Sequence, residues 1–450
     1  MKLLLLGLAF MPALASSAAL PQEAPQTSWK FDFGPRDTPG YISVMPNTSY
    51  NATRGYGFEE GGNVHIRESN WGPDEPNTLL RDYATSEKPF LFSVALPEGN
   101  YKVSVSLGSA NEISNTTVKA EARRLMLQDV STRAGEWKTR SFLVNVRTPR
   151  IEDSSAVAIN KREYGALNWD DKLTLEFNSS FNGARPSICA LEIKKVEDTT
   201  TVYIAGDSTV TDQTQEPFAA WGQMLPRFFS EAVAVANHAE SGRALYSFKG
   251  ERRLEKILST IKPGDYLFVQ FGHNDQKDKS PGSGPFTTYK ENLKFYIAQT
   301  RAKGAHPVII TPMERRRWDG NKPLQTLSDF AEAARQTAKE ENVPLIDLHA
   351  MSLQFYAALG PEKSLKAFVH YPAGTFPGQN EALKDDTHFS AYGGYELARC
   401  VVESIKTNVP QLAKFLANDV APFDPSQPDD ITKWHLPLSP LRVTRTPEGS

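Results

Sequence analysis

The sequence predicts two domains of different class, an all-β sandwich followed by an α/β domain built on a parallel sheet. Three observations carry this. A chain of 450 residues exceeds what one hydrophobic core ordinarily serves. Up to about residue 196, apolar residues recur at every second position, as in half-buried strands. From about residue 200, continuous apolar runs alternate with amphipathic stretches of helical period, the pattern of a sheet covered on both faces.

In the first half, Tyr101, Val103, Val105 and Leu107 alternate with Lys102, Ser104 and Ser106. The same alternation runs through Phe142, Val144 and Val146, through Leu173, Leu175 and Phe177, and through Cys189, Leu191 and Ile193. Pro97-Glu98-Gly99-Asn100 supplies a turn between two such runs, which predicts a hairpin. Trp29, Trp71 and Trp137 have two readings, core packing or exposed faces on which sugar rings stack.

In the second half, the runs 202–205, 232–236, 266–271, 308–310 and 345–348 read as buried strands. Thr288-Tyr289-Lys290-Glu291 has the spacing of a capping box, Leu293, Ile297 and Thr300 continue one helical face, and Gly304 closes it. A second helix is expected from about Ser328 to Glu341. Parallel sheets of this kind bind ligands at the carboxyl ends of their strands. The loops there carry Gly206-Asp207-Ser208-Thr209, then Asn237 to Arg243 with Gly242, then Gly272-His273-Asn274-Asp275; Asp385-Asp386-Thr387-His388 precedes a further helical run.

These residue types supply what acyl transfer requires. A serine hydroxyl needs a base to take its proton, and an imidazole does this near neutral pH and later protonates the leaving alcohol. Ser208 is the candidate nucleophile, His388 the base, and Asp385 the group that fixes its tautomer, with Asp386 as competitor for that place. The backbone N–H groups of Ser208 and Gly242 and the amide of Asn274 are candidate oxyanion donors. His273 is expected to shape its loop. Arg315, with Arg316, Arg317 and Trp318 beside it, is a candidate contact for a uronate carboxylate, and Trp318 for a sugar face.

The four blocks, in this order, resemble the SGNH (GDSL-like) hydrolase superfamily, although Thr209 stands where the longer signature has leucine. A Gly-x-Ser-x-Gly elbow is missing from the sequence, which counts against an ordinary α/β-hydrolase. Gly206 to Val210, Gly272 to Asp275, Thr311 to Arg316 and Asp386 to Phe389 are similar to rhamnogalacturonan acetylesterases of carbohydrate esterase family twelve. The stretch opening Phe31-Asp32-Phe33-Gly34 resembles a galactose-binding-like module. The resemblance implies a flavodoxin-like three-layer α/β/α domain, a serine esterase deacetylating pectic polysaccharide, and no metal or other cofactor. A xylan or small-ester acyl hydrolase and a non-catalytic carbohydrate-binding protein are the alternatives.

Composition narrows the class. A net charge of -3 argues against wholesale nucleic-acid binding. Lys2, an apolar run to Leu14 and Ala13-Leu14-Ala15 describe a secretory signal peptide, too short to span a bilayer. The expected divisions are a signal peptide at 1–19, the sandwich at 28–196, the hydrolase domain at 200–415 and a proline-rich tail at 416–450. The expected setting is extracellular, or periplasmic in a Gram-negative host, with acetylated plant cell-wall polysaccharide as partner and no membrane contact after processing. Cys189 and Cys400 read either as two buried thiols or as a bridge, and Asn47, Asn51, Asn115 and Asn178 as glycosylation sequons.

Overall fold

Alternation places the apolar side chains of the first half inward from two facing sheets. The computed structural model describes residues 26–68, 77–152, 155–181 and 183–440; the expected signal peptide and Trp71 lie outside them. Among the described residues, a seven-stranded sheet centres on Gly99–Ser109, paired with Glu136–Val146 and Ile188–Val196. A five-stranded sheet runs in the order Tyr56–Phe58, Phe90–Ala95, Lys172–Asn178, Ser114–Ala120 and Arg124–Thr132. Phe31, Val103, Val105 and Leu107 of the first meet Phe92, Val94, Leu173 and Leu175 of the second in one core. Trp29 belongs to this core, stacked 5.7 Å from Phe31, and Trp137 is half-buried on its strand.

The predicted hairpin at Pro97 to Asn100 does not form. Phe90–Ala95 and Gly99–Ser109 belong to different sheets, so this turn carries the chain across the sandwich. Alternation specifies which face of a strand is buried, but leaves its neighbour open.

The second half holds a five-stranded, fully parallel sheet: β1 (Thr200–Gly206), β2 (Val233–Asn237), β3 (Tyr266–Gln270), β4 (His306–Ile310) and β5 (Leu345–Ile346). Its order is β2-β1-β3-β4-β5, the flavodoxin-like arrangement. Val202 and Ile204 face one layer, which includes α5 (Leu348–Ser364, interrupted at Gly360) and α6 (Ala391–Asn408); Tyr203 and Ala205 face the other. That second layer comprises α1 (Leu245–Gly250), α2 (Arg253–Thr260), α3 (Lys290–Ala302) and α4 (Ser328–Glu340).

Two local expectations change. Leu348 is not the end of a strand but the first residue of α5, because the Asp347 carboxylate accepts the N–H of Ala350 and starts a helix there. Thr288 does not cap α3: residues Pro285–Tyr289 form a wider turn ahead of it, and the Thr288 hydroxyl accepts the N–H of Gly284 instead. Tyr289 is buried at this junction, with its hydroxyl donating to the Phe271 carbonyl.

Buried charges close the seam between the halves. Arg124, 1% exposed, donates to the carbonyls of Val235 and Asn145 and faces the Asp212 carboxylate at 3.4 Å. It thereby satisfies a carbonyl at the edge of the parallel sheet. Arg123 donates to the Gln213 and Phe218 carbonyls and pairs with Glu216 at 2.6 Å. The tail from about residue 416 lies over both halves: Trp434 packs against Tyr392 and Tyr395 of α6, while Lys119 bonds to the Pro437 carbonyl and Ser439 hydroxyl.

Cys189 and Cys400 are both free and buried, one in each half. Asn115 and Asn178 are also buried, Asn178 donating to the Leu438 carbonyl, so their sequons are closed to a glycan in the folded chain. Asn47 and Asn51 are exposed.

Candidate active site

β1 ends at Gly206, and the chain turns at once, with the N–H groups of Val210 and Thr211 both returning to the Asp207 carbonyl at 3.1 Å. The Asp207 carboxylate accepts the N–H and hydroxyl of Thr209 at 2.9 and 2.7 Å. Gln270 of β3 donates to the same hydroxyl, and Gln213 donates to the Ser208 carbonyl at 2.7 Å. The turn that carries Ser208 is thus braced from both sides. Thr209, the departure from the leucine signature, is one of the braces.

The strand Leu383–Phe389 delivers His388 to that turn. Nε2 of His388 lies 2.8 Å from Ser208 Oγ, and Nδ1 lies 2.7 Å from Asp385 Oδ2. The other Asp385 oxygen accepts the N–H groups of Thr387 and His388 at 2.8 and 2.9 Å. Burial opposes ionisation of Asp385, but His388 and these donors outweigh it and hold the carboxyl below its ordinary range. An ionised carboxylate only accepts, so Nδ1 carries the proton and Nε2 is left to accept from Ser208. Phe218 closes one side, edge-on to the His388 ring at 6.1 Å. Asp386, the sequence competitor, points elsewhere and pairs with Arg316 at 2.9 Å, Arg317 at 3.4 Å and His370 at 2.9 Å.

Gly242 follows β2 with φ of +79°, a left-handed conformation that favours glycine. Its N–H and that of Ser208 meet no acceptor among the described residues. Asn274 donates from Nδ2 to the Arg243 carbonyl at 3.3 Å, which leaves its second amide hydrogen for another acceptor. Gly272, with φ of +144°, lets this loop lie against Pro312, whose Cγ would be 2.8 Å from a Cβ. Asp275 accepts the N–H of Leu245 at 3.0 Å and so ties the Asn274 loop to the start of α1; burial pushes its carboxyl up to about 7. These placements join Ser208, His388 and Asp385 directly, and tie the Gly242 and Asn274 loops to each other through the Arg243 carbonyl. An arrangement of this kind can activate a hydroxyl and receive an oxyanion.

His273 is fully buried with its Nδ1 3.6 Å from Asp207 Oδ2, beyond hydrogen-bond reach. Burial pulls its pKa down, against the Asp207 charge, which favours the neutral ring. It lines the floor beneath the Ser208 turn. Arg315 is half-buried at the rim, its guanidinium donating at 3.4 Å to the His273 carbonyl and the Thr326 hydroxyl. Its loop is fixed by Glu314, which accepts from Thr326, Leu327 and His349. Trp318 stands on the short strand Trp318–Asp319, half-buried against the core and so only partly available to a ligand. Sequence reasoning missed Gln213 and Phe218, which no motif marks, and Arg162 of the sandwich, which reaches the Ser241 carbonyl at 3.3 Å. Among the described residues, no three His, Cys, Asp or Glu side chains are grouped to hold a metal ion.

Residues 204–394 match the model of the GDSL-like lipase/acylhydrolase family. The rhamnogalacturonan acetylesterase RhgT of Bacillus subtilis (strain 168) is 43% identical over 208 residues, which cover 46% of this chain and 89% of that protein. The chain belongs to the GDSL-like lipase/acylhydrolase family. As a GDSL-like hydrolase it is a carboxylic ester hydrolase, and the parallel-sheet half is the family's domain. Residues 29–146 match the galactose-binding domain-like module of beta-agarase and YXIM-type esterases. Both halves of this GDSL-like hydrolase align with the uncharacterized esterase YxiM of Bacillus subtilis (strain 168), 29% identical across 84% of this chain and 90% of that protein. The crystal structure of the Bacillus subtilis YxiM protein covers 84% of this chain and 98% of its own at 28% identity, with a TM-score of 0.42.

Proposed function

We propose that the protein is a secreted serine esterase that removes acetyl groups from galacturonic acid units of rhamnogalacturonan. The observation that carries the reading is the continuous contact from Ser208 Oγ through the His388 ring to Asp385. In this mechanism His388 Nε2 takes the Ser208 proton as Oγ attacks the acetyl carbonyl, and the imidazolium is stabilised by Asp385. The oxyanion of the tetrahedral intermediate accepts from the N–H groups of Ser208 and Gly242 and the Asn274 amide. Collapse expels the sugar hydroxyl, protonated by His388, and leaves an acetyl-enzyme. Water, deprotonated by His388, then attacks this ester and releases acetate and free Ser208.

Two features support the choice of substrate. Ser208 is buried, which suits a small acyl group better than a bulky one. The half-buried Arg315 guanidinium spends two of its N–H groups on the neutral His273 carbonyl and Thr326 hydroxyl, and its planar fork is a suitable partner for a uronate carboxylate. The relative RhgT, described as a rhamnogalacturonan acetylesterase, points the same way. Acetate release from acetylated rhamnogalacturonan, homogalacturonan and xylan tests the reading, with rhamnogalacturonan expected to be deacetylated fastest. Faster release from xylan would replace the substrate, and no release from any acetyl ester would remove the esterase. Export is tested by amino-terminal sequencing of protein from the culture medium, where a new terminus near residue 20 is expected.

A further inference from the structure

The Gly242 N–H belongs to a peptide unit whose other polar atom is the Ser241 carbonyl. The unit is trans, so the two point in opposite directions, and whatever holds the carbonyl aims the N–H. Two guanidinium groups hold it: Arg243 donates from Nη1 at 3.1 Å and Arg162 from Nη2 at 3.3 Å. Arg162 comes from the sandwich half of the chain, 79 residues earlier.

Arg162 is itself well placed. The same Nη2 lies 3.0 Å from Glu240 Oε1, and Asn160 donates to that oxygen as well. The neighbouring Glu163 takes both Nη groups of fully buried Arg253 at 2.9 and 2.6 Å, with Trp169 Nε1 and the Asn160 N–H adding to its load. Arg253 and Arg243 then share Glu251, each donating from Nε at 2.7 Å. The corner 160–163 is thereby clamped to the start of α2, and the Gly242 loop is held between this clamp and Asn274.

We infer that Arg162 is a positioning residue for the oxyanion site: the sandwich domain, through Arg162 on the Ser241 carbonyl, aims and polarises the Gly242 N–H. A cation on a peptide oxygen draws electron density from the same peptide nitrogen and strengthens its N–H as a donor. The benefit is felt where negative charge develops, in the transition state, and little in the ground-state complex. The sandwich therefore takes part in the chemistry, whatever it binds. This rests on the esterase reading above.

The test uses the full chain with para-nitrophenyl acetate. Arg162→Ala is expected to lower kcat about three- to tenfold with KM little changed, the loss of one charge-assisted contact. Arg162→Lys, which restores a donor, is expected to recover part of that loss. Methylboronic acid, which adds to Ser208 Oγ as a tetrahedral anion, should bind Arg162→Ala more weakly by a similar factor. A wild-type kcat in Arg162→Ala, a change confined to KM, or a fall in kcat with unaltered boronate affinity would each overturn the inference while leaving the esterase intact. A wild-type protein inactive on every acetyl ester would remove the esterase reading and this inference with it.

Discussion

Asn274 Nδ2 donates to the carbonyl of Arg243 over 3.3 Å, so the third motif loop holds the second in place. Its remaining amide hydrogen is the one available to an oxyanion. Asn274→Ala is expected to reduce kcat about 10²- to 10³-fold with little change in KM, measured on a soluble acetyl ester. A change in KM alone would make Asn274 a substrate contact.

Asp385 and Asp386 are neighbours with different partners, which separates their roles experimentally. Asp385→Asn leaves His388 Nδ1 facing an amide and is expected to lower kcat by roughly 10²- to 10⁴-fold. Asp386→Asn disturbs Arg316, Arg317 and His370, away from Ser208, and should cost less than about tenfold. Ser208→Ala and His388→Ala should abolish most turnover with circular dichroism unchanged. Equal losses from both aspartates would undo the assignment of Asp385.

Arg315 has no carboxylate within 4.0 Å among the described residues, although burial opposes its charge. Arg315→Ala should therefore lower kcat/KM on acetylated rhamnogalacturonan at least about tenfold more than on para-nitrophenyl acetate. Identical losses on the two substrates would place Arg315 outside substrate recognition.

Burial pushes the Glu121 carboxyl up to about 8, against the pull of nearby Arg124. An unfolded glutamate titrates near 4.3. Between roughly pH 4.5 and 8 the native state keeps a proton that the unfolded chain has lost, so this group's stabilising contribution falls as pH rises. Glu121→Gln cannot release that proton. Its melting temperature, relative to the wild type, should rise steadily from pH 5 to pH 8, and parallel melting curves would contradict the assignment.

Much of the site was legible because its chemistry is local. Asp385 and His388 are three residues apart, and Ser208, Gly242 and Asn274 each follow a strand whose apolar run is unmistakable. Partners distant in sequence were not legible. The segments Phe90–Ala95 and Gly99–Ser109 alternate as hairpin strands do, yet they enter opposite sheets, since alternation records burial and not pairing. Thr288 had the right spacing for a cap, but burial of Tyr289 beside Phe271 took the chain through a wider turn first. Arg124, Arg162 and Arg253 look like surface charges in the sequence. Each has an acceptor in the other half of the chain, where only the fold brings it.

The bonds from Lys119 to Pro437 and Ser439 span 318 and 320 residues of sequence. Contacts of such separation form late, after the intervening chain has been synthesised and has found its own structure. The sandwich half therefore waits with Lys119 and Asn178 uncovered until residues 437–439 arrive. Assembly of this protein finishes as a clasp does, with residues 437–439 laid over a sandwich already built.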